Sequence, residues 1–366
     1  MALSKIRSDS LEDTAIHGNR NLTINGAMQI FQRATAATAA TGYSTADRWW
    51  IGETTDGAYT SEKSTDNPFE TGSSLKLQVT TADTSLGTTQ VARFFQRIEG
   101  QNLQHLLYGT SSAKTLTLSF WVKSNKTGTY SILLRKVDTT PYHFIHSYTI
   151  SNANTWEKKV ITITPTAGST SFITASAGTI DNDNDYGFEL AFNLAQGSQY
   201  AIGTSNTWSS DTNTYGLNGQ VNWMDSTSNN FYLTEVQLEV GSEPTPFEHE
   251  DYSTTLRKCQ RYYFRTTGSS TGYGNLATVS RIGNTLYRGI VEFPVTMRSR
   301  PSFSSSGSFQ TLDSGFTFSS ISGGDGASFD SHGVQVTMTS NGSAGQSTLL
   351  RQAADASAAL IYDAEL

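Results

Sequence analysis

The segment that decides the fold is residues 115–122, Thr-Leu-Thr-Leu-Ser-Phe-Trp-Val. Side chains of a β-strand point alternately to its two faces, so this alternation predicts a strand with one apolar face. That face would carry four side chains: Leu116, Leu118, Phe120 and Val122. Trp121 would point to the other face. The segment therefore predicts a strand of a layered β-structure.

The same pattern recurs along the chain. Residues 74–79 alternate in the same way, and residues 231–240 do so with one break in phase that indicates a β-bulge. Turn dipeptides that tolerate positive φ separate such segments: Asn25-Gly26, Asp56-Gly57 and Asn218-Gly219. Short strands joined by turns, without helical patterns between them, predict an antiparallel β-sandwich.

The composition agrees with this class. Only 16% of the 366 residues are charged, and 31 Gly stand against 7 Pro. The 18 Phe, 16 Tyr and 6 Trp argue against disorder, because disordered segments are poor in aromatic residues. The length indicates two domains and a connecting piece.

The predicted organisation has four parts. Residues 1–20 are an N-terminal arm that could dock on a partner subunit, residues 21–250 a jelly-roll-like antiparallel β-sandwich, residues 251–264 a short connecting helix, and residues 265–366 a second, smaller β-sandwich domain. The helix would begin with Ser253 as N-cap and carry an apolar stripe of Leu256, Cys259 and Tyr263.

Charge and cysteine content exclude several partners. The net charge of −7 lacks the basic footprint of a nucleic-acid-binding protein, so we expect no nucleic acid. The single cysteine, Cys259, excludes a disulfide framework within the chain and is expected to be a small buried hydrophobe. No apolar run approaches 18 residues, and residues 1–20 contain no stretch of signal-peptide type, so we expect synthesis in a cytoplasm and no membrane insertion.

A possible calcium site is the acidic run at residues 181–185. Asp181, Asp183 and Asp185 alternate like the first ligands of a calcium loop, since a hard cation prefers carboxylate oxygens. The sixth position holds Tyr186 in place of the usual glycine. A solvated turn is the favoured interpretation, and no other cofactor is expected.

Trp208 and Tyr215 lie in a polar stretch, residues 203–219, that is interpreted as a long loop. Exposed aromatic rings can stack on the apolar faces of sugars, which makes these two residues candidates for carbohydrate binding. The alternative, which the sequence favours, is that they cap the end of the sandwich core. Trp49, Trp50 and Trp121 are expected to belong to the core.

No catalytic arrangement is indicated. Residues 268–272 match the G-x-S-x-G pattern of serine hydrolases, but that motif needs a following helix, which the sequence does not predict. Carboxylates paired for glycoside hydrolysis are not identifiable either. We therefore expect a protein that is not an enzyme.

Two long motifs resemble a family of bacteriophage tail-fibre and virion structural proteins. The first is residues 21–28, Asn-Leu-Thr-Ile-Asn-Gly-Ala-Met, and it continues to Asp47-Arg48-Trp49. The second is residues 236–242, Val-Gln-Leu-Glu-Val-Gly-Ser, followed by residues 245–249 and then by Cys259-Gln260-Arg261-Tyr262-Tyr263. The resemblance covers roughly residues 20–265.

The resemblance implies a jelly-roll domain similar to carbohydrate-binding modules within a homotrimeric virion appendage. It implies a tail-fibre subunit located in the virion, with residues 1–20 docked on other tail or capsid proteins and the β domains presented to host cell-surface polysaccharide. The alternative is a capsid fibre, decoration or tail adaptor protein without a receptor role.

Overall fold

The computed structural model describes residues 19–38, 41–266, 268–283, 285–312, 317–318, 321–323, 328–337 and 345–366, with residues 317, 318 and 337 described by their backbone only. The chain divides into two units, Met1–Asp251 and Tyr252–Leu366, called unit 1 and unit 2. The predicted N-terminal arm, residues 1–20, lies outside the described residues except for Asn19 and Arg20.

Both units consist mainly of β-strands. The described strands of unit 1 are β1 (Ala36–Ala37), β2 (Gly42–Tyr43), β3 (Trp50–Glu53), β4 (Ala58–Ser64), β5 (Ser74–Thr81), β6 (Val91–Glu99), β7 (Leu116–Ser124), β8 (Gly128–Lys136), β9 (Tyr142–Ile150), β10 (Glu157–Ile163), β11 (Tyr186–Gln196), β12 (Thr207–Ser209) and β13 (Asn230–Val240). Those of unit 2 are β14 (Tyr263–Arg265), β15 (Asn275–Arg281), β16 (Leu286–Glu292), β17 (Ser302–Ser306), β18 (Phe309–Thr311), β19 (Thr317–Phe318), β20 (Ser322–Gly323), β21 (Ser331–Thr337), β22 (Ser347–Gln352) and β23 (Ala359–Asp363). The helix α1 spans Tyr252–Gln260, and 3-10 helices span Gly100–Leu106, Ser176–Gly178 and Trp223–Asp225.

Unit 1 is a jelly-roll-like antiparallel β-sandwich of two sheets. Sheet A has the strand order β1-β4-β5-β13-β7-β10, and sheet B has the order β12-β9-β8-β11-β6-β3-β2. Every pairing between these strands is antiparallel. Apolar side chains from both sheets form one buried core between them.

The segment that predicted the fold lies in β7, between β13 and β10. Its four predicted inward residues, Leu116, Leu118, Phe120 and Val122, are each 0% exposed. The phase break predicted in residues 231–240 is also confirmed. The pairing of β13 with β7 shifts register between Thr234 and Gln237, and Glu235 between them has a φ of 49°.

Aromatic rings join the two sheets. Phe120 of sheet A and Phe192 of sheet B have ring centroids 5.0 Å apart, and Phe192 stacks on Phe94 at 5.1 Å. Trp49 contacts the same pair from 6.1 Å. Each such ring pair contributes about 0.5–1.5 kcal/mol beyond the apolar area it buries. The abundant aromatic residues therefore compensate for a chain with few aliphatic residues.

Unit 2 is a smaller β-sandwich with its own core. Its sheets have the orders β14-β23-β17 and β19-β18-β22-β15-β16-β21-β20, and buried members of its core include Val279, Tyr287, Val334, Leu350 and Tyr362. The helix differs from its prediction, because it begins at Tyr252 and so includes Ser253. It ends at Gln260, since Tyr263 pairs with Asp363 as part of β14.

Cys259 is buried in α1, as predicted. Within the described residues, no helix combines the length and the apolar character that crossing a membrane requires.

Candidate binding face on sheet B

The outer face of sheet B, turned away from the core of unit 1, carries a second apolar cluster. Strand register aligns its side chains across the sheet: Trp50 pairs with Phe95, Phe95 with Ala191, Ala191 with Leu133, and Leu133 with Ile145. We call this line the apolar row. Phe95, Leu133, Ile145 and Ala191 are buried in a cluster separate from the main core.

Polar side chains flank the apolar row on both sides. On one side, the register aligns Arg97, Glu189, Arg135 and His143, which we call the charged row. On the other side it aligns Arg93, Asn193, Ser131 and Ser147. An apolar strip bordered by hydrogen-bonding groups is the usual composition of a ligand-binding surface.

Glu189 is the electrostatic centre of this face. Its side chain is 0% exposed, and its oxygens lie 3.1 Å from Nη1 of Arg93 and 3.2 Å from Nε of Arg97. The two arginine side chains stay 16% and 24% exposed. One buried carboxylate thus fixes the positions of two guanidinium groups, each of which stays partly exposed at the surface of the sheet.

Aromatic rings surround these charges. The Trp50 ring stacks on Phe95 with centroids 5.9 Å apart, and Tyr43 meets Trp50 edge-on at 5.1 Å. The guanidinium of Arg97 lies over Phe95 at 5.2 Å and over Tyr186 at 4.3 Å. Trp50, Tyr43 and Tyr186 are only half-buried, so their outer surfaces face solvent.

A loop between β11 and β13 covers the opposite half of the face. Nδ1 of His143 lies 2.8 Å from the carbonyl oxygen of Thr214, and Nδ2 of Asn193 donates to the carbonyl of Tyr215 at 2.5 Å. Leu217 joins the apolar cluster. The uncovered half, around Trp50, Phe95, Arg93 and Arg97, is called the open patch.

His143 stays neutral beneath this loop. Its side chain is 1% exposed, and burial lowers its pKa, opposed by the Thr214 hydrogen bond and reinforced by the nearby charge of Arg135. Its Nε2 atom is buried without a hydrogen-bond partner among the described residues.

The structure decides between the two interpretations of Trp208. Trp208 is 1% exposed; its Nε1 donates to the Thr164 carbonyl at 2.9 Å and its ring packs 5.4 Å from Phe144. Trp208 is therefore a core residue, as in the interpretation that the sequence favours, and it is not the exposed sugar-binding ring of the other interpretation. Its strand β12 pairs with β9 at the edge of sheet B, so alternation turns the indole inward.

Trp50 is the ring that sequence reasoning missed, because it was expected in the core. Trp49 and Ile51 point inward at 1% and 2% exposure. Trp50 between them must then point outward, and the alternation of β3 was the available signal. Trp121 also lies half-buried on an outer face, that of sheet A, so its expected core position is wrong too.

Tyr215 lies at the border of the open patch. Its ring is half-buried, 4.8 Å from the Arg93 guanidinium and 4.9 Å from the Tyr200 ring. It can form a wall beside a bound ligand, and its role in carbohydrate binding stays a prediction.

The acidic run forms a hydrogen-bonded turn, and calcium binding by Asp181, Asp183 and Asp185 stays a prediction. Carboxylates of Asp183 and Asp185 accept hydrogen bonds from backbone N–H groups at 3.0 Å and 2.9 Å, as in a capped turn. Backbone carbonyls of Asp181 and Asp183 accept bonds from Gln104 and Gln101. No group of three His, Cys, Asp or Glu side chains within the described residues is arranged to hold a metal ion. The Asp183 and Asp185 carboxylates thus accept from two different backbone N–H groups.

A second aromatic patch lies on the outer face of sheet A. Its rings Trp156 and Tyr232 are 6.1 Å apart, with the Lys123 ammonium 4.5 Å from the Tyr232 centroid. Lys123 pairs with Asp66, which also accepts a hydrogen bond from Trp156 Nε1 at 3.0 Å. This ion pair occupies the polar groups between the rings, so the open patch of sheet B is the better candidate.

Comparison with known proteins finds solved structures of low similarity. No protein-family model matches the chain, and no curated protein matches it. A candidate sugar-binding protein from Bacteroides thetaiotaomicron is 14% identical, with a TM-score of 0.36, over 61% of this chain and 100% of that one. A family 11 carbohydrate-binding module from Clostridium thermocellum is 13% identical, with a TM-score of 0.30, over 58% and 99%.

The enzymatically active domain of tailspike protein 4 from bacteriophage CBA120 is 15% identical, with a TM-score of 0.30, over 60% of this chain and 21% of that one. Similarity this low carries no argument about ligand or activity. The case for a ligand depends on the side chains of this chain.

Proposed function

We propose that unit 1 binds a glycan on the open patch of sheet B without cleaving it. The observation that carries this proposal is the partly exposed Trp50 ring, stacked on Phe95 beside the Arg93–Glu189–Arg97 cluster. A sugar ring has an apolar C–H face and a rim of hydroxyls. The aromatic face suits the first, and the positioned guanidinium groups suit the second.

We further propose that the chain is a homotrimeric tail-fibre subunit of a bacteriophage virion that presents this patch to the host surface. The resemblance of residues 21–28 and 236–242 to virion structural proteins supports this role. These two segments contact each other, since Asn21 Nδ2 donates to the Val236 carbonyl at 2.9 Å and Asn21 Oδ1 accepts from the Leu238 N–H at 3.1 Å.

A trimer would strengthen weak sugar contacts. Linking three sites on one particle raises the overall binding strength by orders of magnitude, about 10²–10⁴, without any new contact. A half-open patch with one stacked ring therefore suffices for stable attachment when it is repeated around a three-fold axis.

The binding proposal is tested with two matched tryptophan variants. Trp50→Ala removes the ring of the open patch, and Trp121→Ala removes an equally half-buried ring from the outer face of sheet A. On a glycan array followed by calorimetry with the best ligand, we expect Trp50→Ala to weaken binding at least tenfold and Trp121→Ala to leave it unchanged. Equal affinity of wild type and Trp50→Ala would contradict the proposal.

The remaining parts of the proposal have their own tests. Mass photometry of the purified chain should give three times the monomer mass, and a monomer at micromolar concentration would contradict the trimer. Prolonged incubation with the bound polysaccharide should leave its length unchanged, whereas shortening would show catalysis. Phage particles that lack the chain should adsorb poorly; normal adsorption would favour a decoration or adaptor role.

A further inference from the structure

The charged row carries more positive charge than its one carboxylate balances. Arg97 and Arg135 flank Glu189 in the register, and Arg93 reaches the same carboxylate from the other side of the apolar row. Arg93 and Arg97 share the Glu189 carboxylate, whereas Arg135 has no ion-pair partner among the described residues. The chain as a whole has a net charge of −7, so an arginine left without a carboxylate is a local exception.

Arg135 has unused donors. No hydrogen bond or ion pair joins its side chain to another described residue, and its Nε atom is buried without a partner. The residue as a whole is partly exposed, so the outer N–H groups of its guanidinium can donate to a ligand oxygen. His143 Nε2, the next group in the row, is likewise buried and without a partner in the described part of the chain.

Glu189 forms ion pairs with the other two arginines and none with Arg135. Its two oxygens are taken by Arg93 and Arg97 at 3.1 Å and 3.2 Å. A neutral sugar would add hydroxyls to this region and leave the charge uncompensated. A carboxylate or sulfate on the sugar would neutralise the charge of Arg135, because a guanidinium binds such anions through paired N–H donors.

We infer that the ligand of the open patch is an acidic saccharide, with its sugar ring on Trp50 and Phe95 and its acid group directed to the charged row. The inference rests on the proposed glycan binding and adds the chemical class of the glycan. Arg135 supplies the unpaired donors for the acid group, and Arg93, held by Glu189, lies beside the sugar ring.

The test uses the full-length chain and an array of neutral, uronic-acid, sialylated and sulfated glycans. Titration calorimetry then compares the best acidic oligosaccharide with the same molecule after methyl esterification or desulfation. We expect the uncharged form to bind at least tenfold more weakly. We also expect the affinity for the acidic form to fall as salt rises, since screening weakens attraction between exposed charges.

Arg135→Gln should weaken the acidic ligand about tenfold and leave the uncharged form unaffected. Arg288→Gln, an exposed arginine in unit 2, serves as the matched control and should change neither. Unchanged thermal unfolding of Arg135→Gln excludes loss of folding as the cause. If polyglutamate bound as tightly as the acidic oligosaccharide, charge attraction alone would explain the binding, and the inference would be overturned.

The two proposals fail in distinguishable ways. If neutral glycans bind as tightly as acidic ones and Trp50→Ala abolishes both, the binding face stands and the acidic class is wrong. If no glycan binds, or if Trp50→Ala has no effect, the proposed binding face itself is wrong.

Discussion

Replacing Glu189 by Gln tests the electrostatic core of the open patch. The substitution keeps the side-chain shape but removes the charge that two arginines share at 3.1 Å and 3.2 Å. Removing one partner of a fully buried ion pair costs about 3–5 kcal/mol. Arg93 and Arg97 remain 16% and 24% exposed, and the Gln oxygen can still accept one bond. We therefore expect a loss of about 2–3 kcal/mol of unfolding free energy.

The matched control is Glu62→Gln. Glu62 pairs with Lys76 at 2.6 Å, but their side chains are 41% and 25% exposed. Exposed pairs contribute about 0–1 kcal/mol. The difference between the two variants thus isolates the effect of burial.

Urea unfolding followed by tryptophan fluorescence measures both variants in the full chain. All six tryptophans lie in unit 1, so the signal reports that unit without interference from unit 2: Trp49, Trp50, Trp121, Trp156, Trp208 and Trp223. The midpoint for Glu189→Gln should fall well below that of Glu62→Gln at equal slope. Equal midpoints would refute the role given to Glu189.

Three further predictions use the same assay. Trp208→Ala should lower the free energy of unfolding by about 3–5 kcal/mol, because it leaves a cavity in the core, whereas Trp50→Ala should lower it by less than about 1 kcal/mol. Similar losses in the two variants would contradict the buried position of Trp208 and the outward position of Trp50. Gly26→Ala should destabilise by about 3 kcal/mol, because its Cβ would lie 2.1 Å from the Val236 carbonyl oxygen, whereas Gly52→Ala meets nothing closer than 3.6 Å and should be nearly neutral. Burial raises the pKa of four tyrosines above the unfolded value of 10.0: Tyr59, Tyr108, Tyr130 and Tyr148. The free energy of unfolding should therefore fall as pH rises above 10, by about 1.4 kcal/mol per pH unit for each of them. A flat profile between pH 10 and 11.5 would contradict that burial.

The strands of the sandwich were predictable because apolar and polar residues alternate along a strand that has one buried face. Residues 115–122 and 74–79 have the predicted inward faces, and the bulge in β13 lies where the phase breaks. The outward position of Trp50 shows the limit of judging a ring by the polarity of the sequence around it. The alternation of side-chain direction within a strand sets the orientation of Trp50 in β3 and of Trp208 in β12.

The charged row could not be predicted from the sequence. Arg97, Arg135 and Glu189 are distant in the chain, and they become neighbours only because β11 lies between β6 and β8 in sheet B. Strand order and register are long-range properties, whereas alternation is local. The acidic run at residues 181–185 shows the converse, since residues adjacent in sequence direct their carboxylates to separate backbone partners.

The most direct test of glycan binding at the open patch is fluorine NMR of protein labelled with 5-fluorotryptophan. Each of the six tryptophans gives one resonance, assigned by single Trp→Phe variants. Titration with the bound oligosaccharide should shift the Trp50 resonance and leave Trp121 and Trp156 in place. A shift of Trp121 or Trp156 with Trp50 unchanged would put the ligand on sheet A and contradict the account.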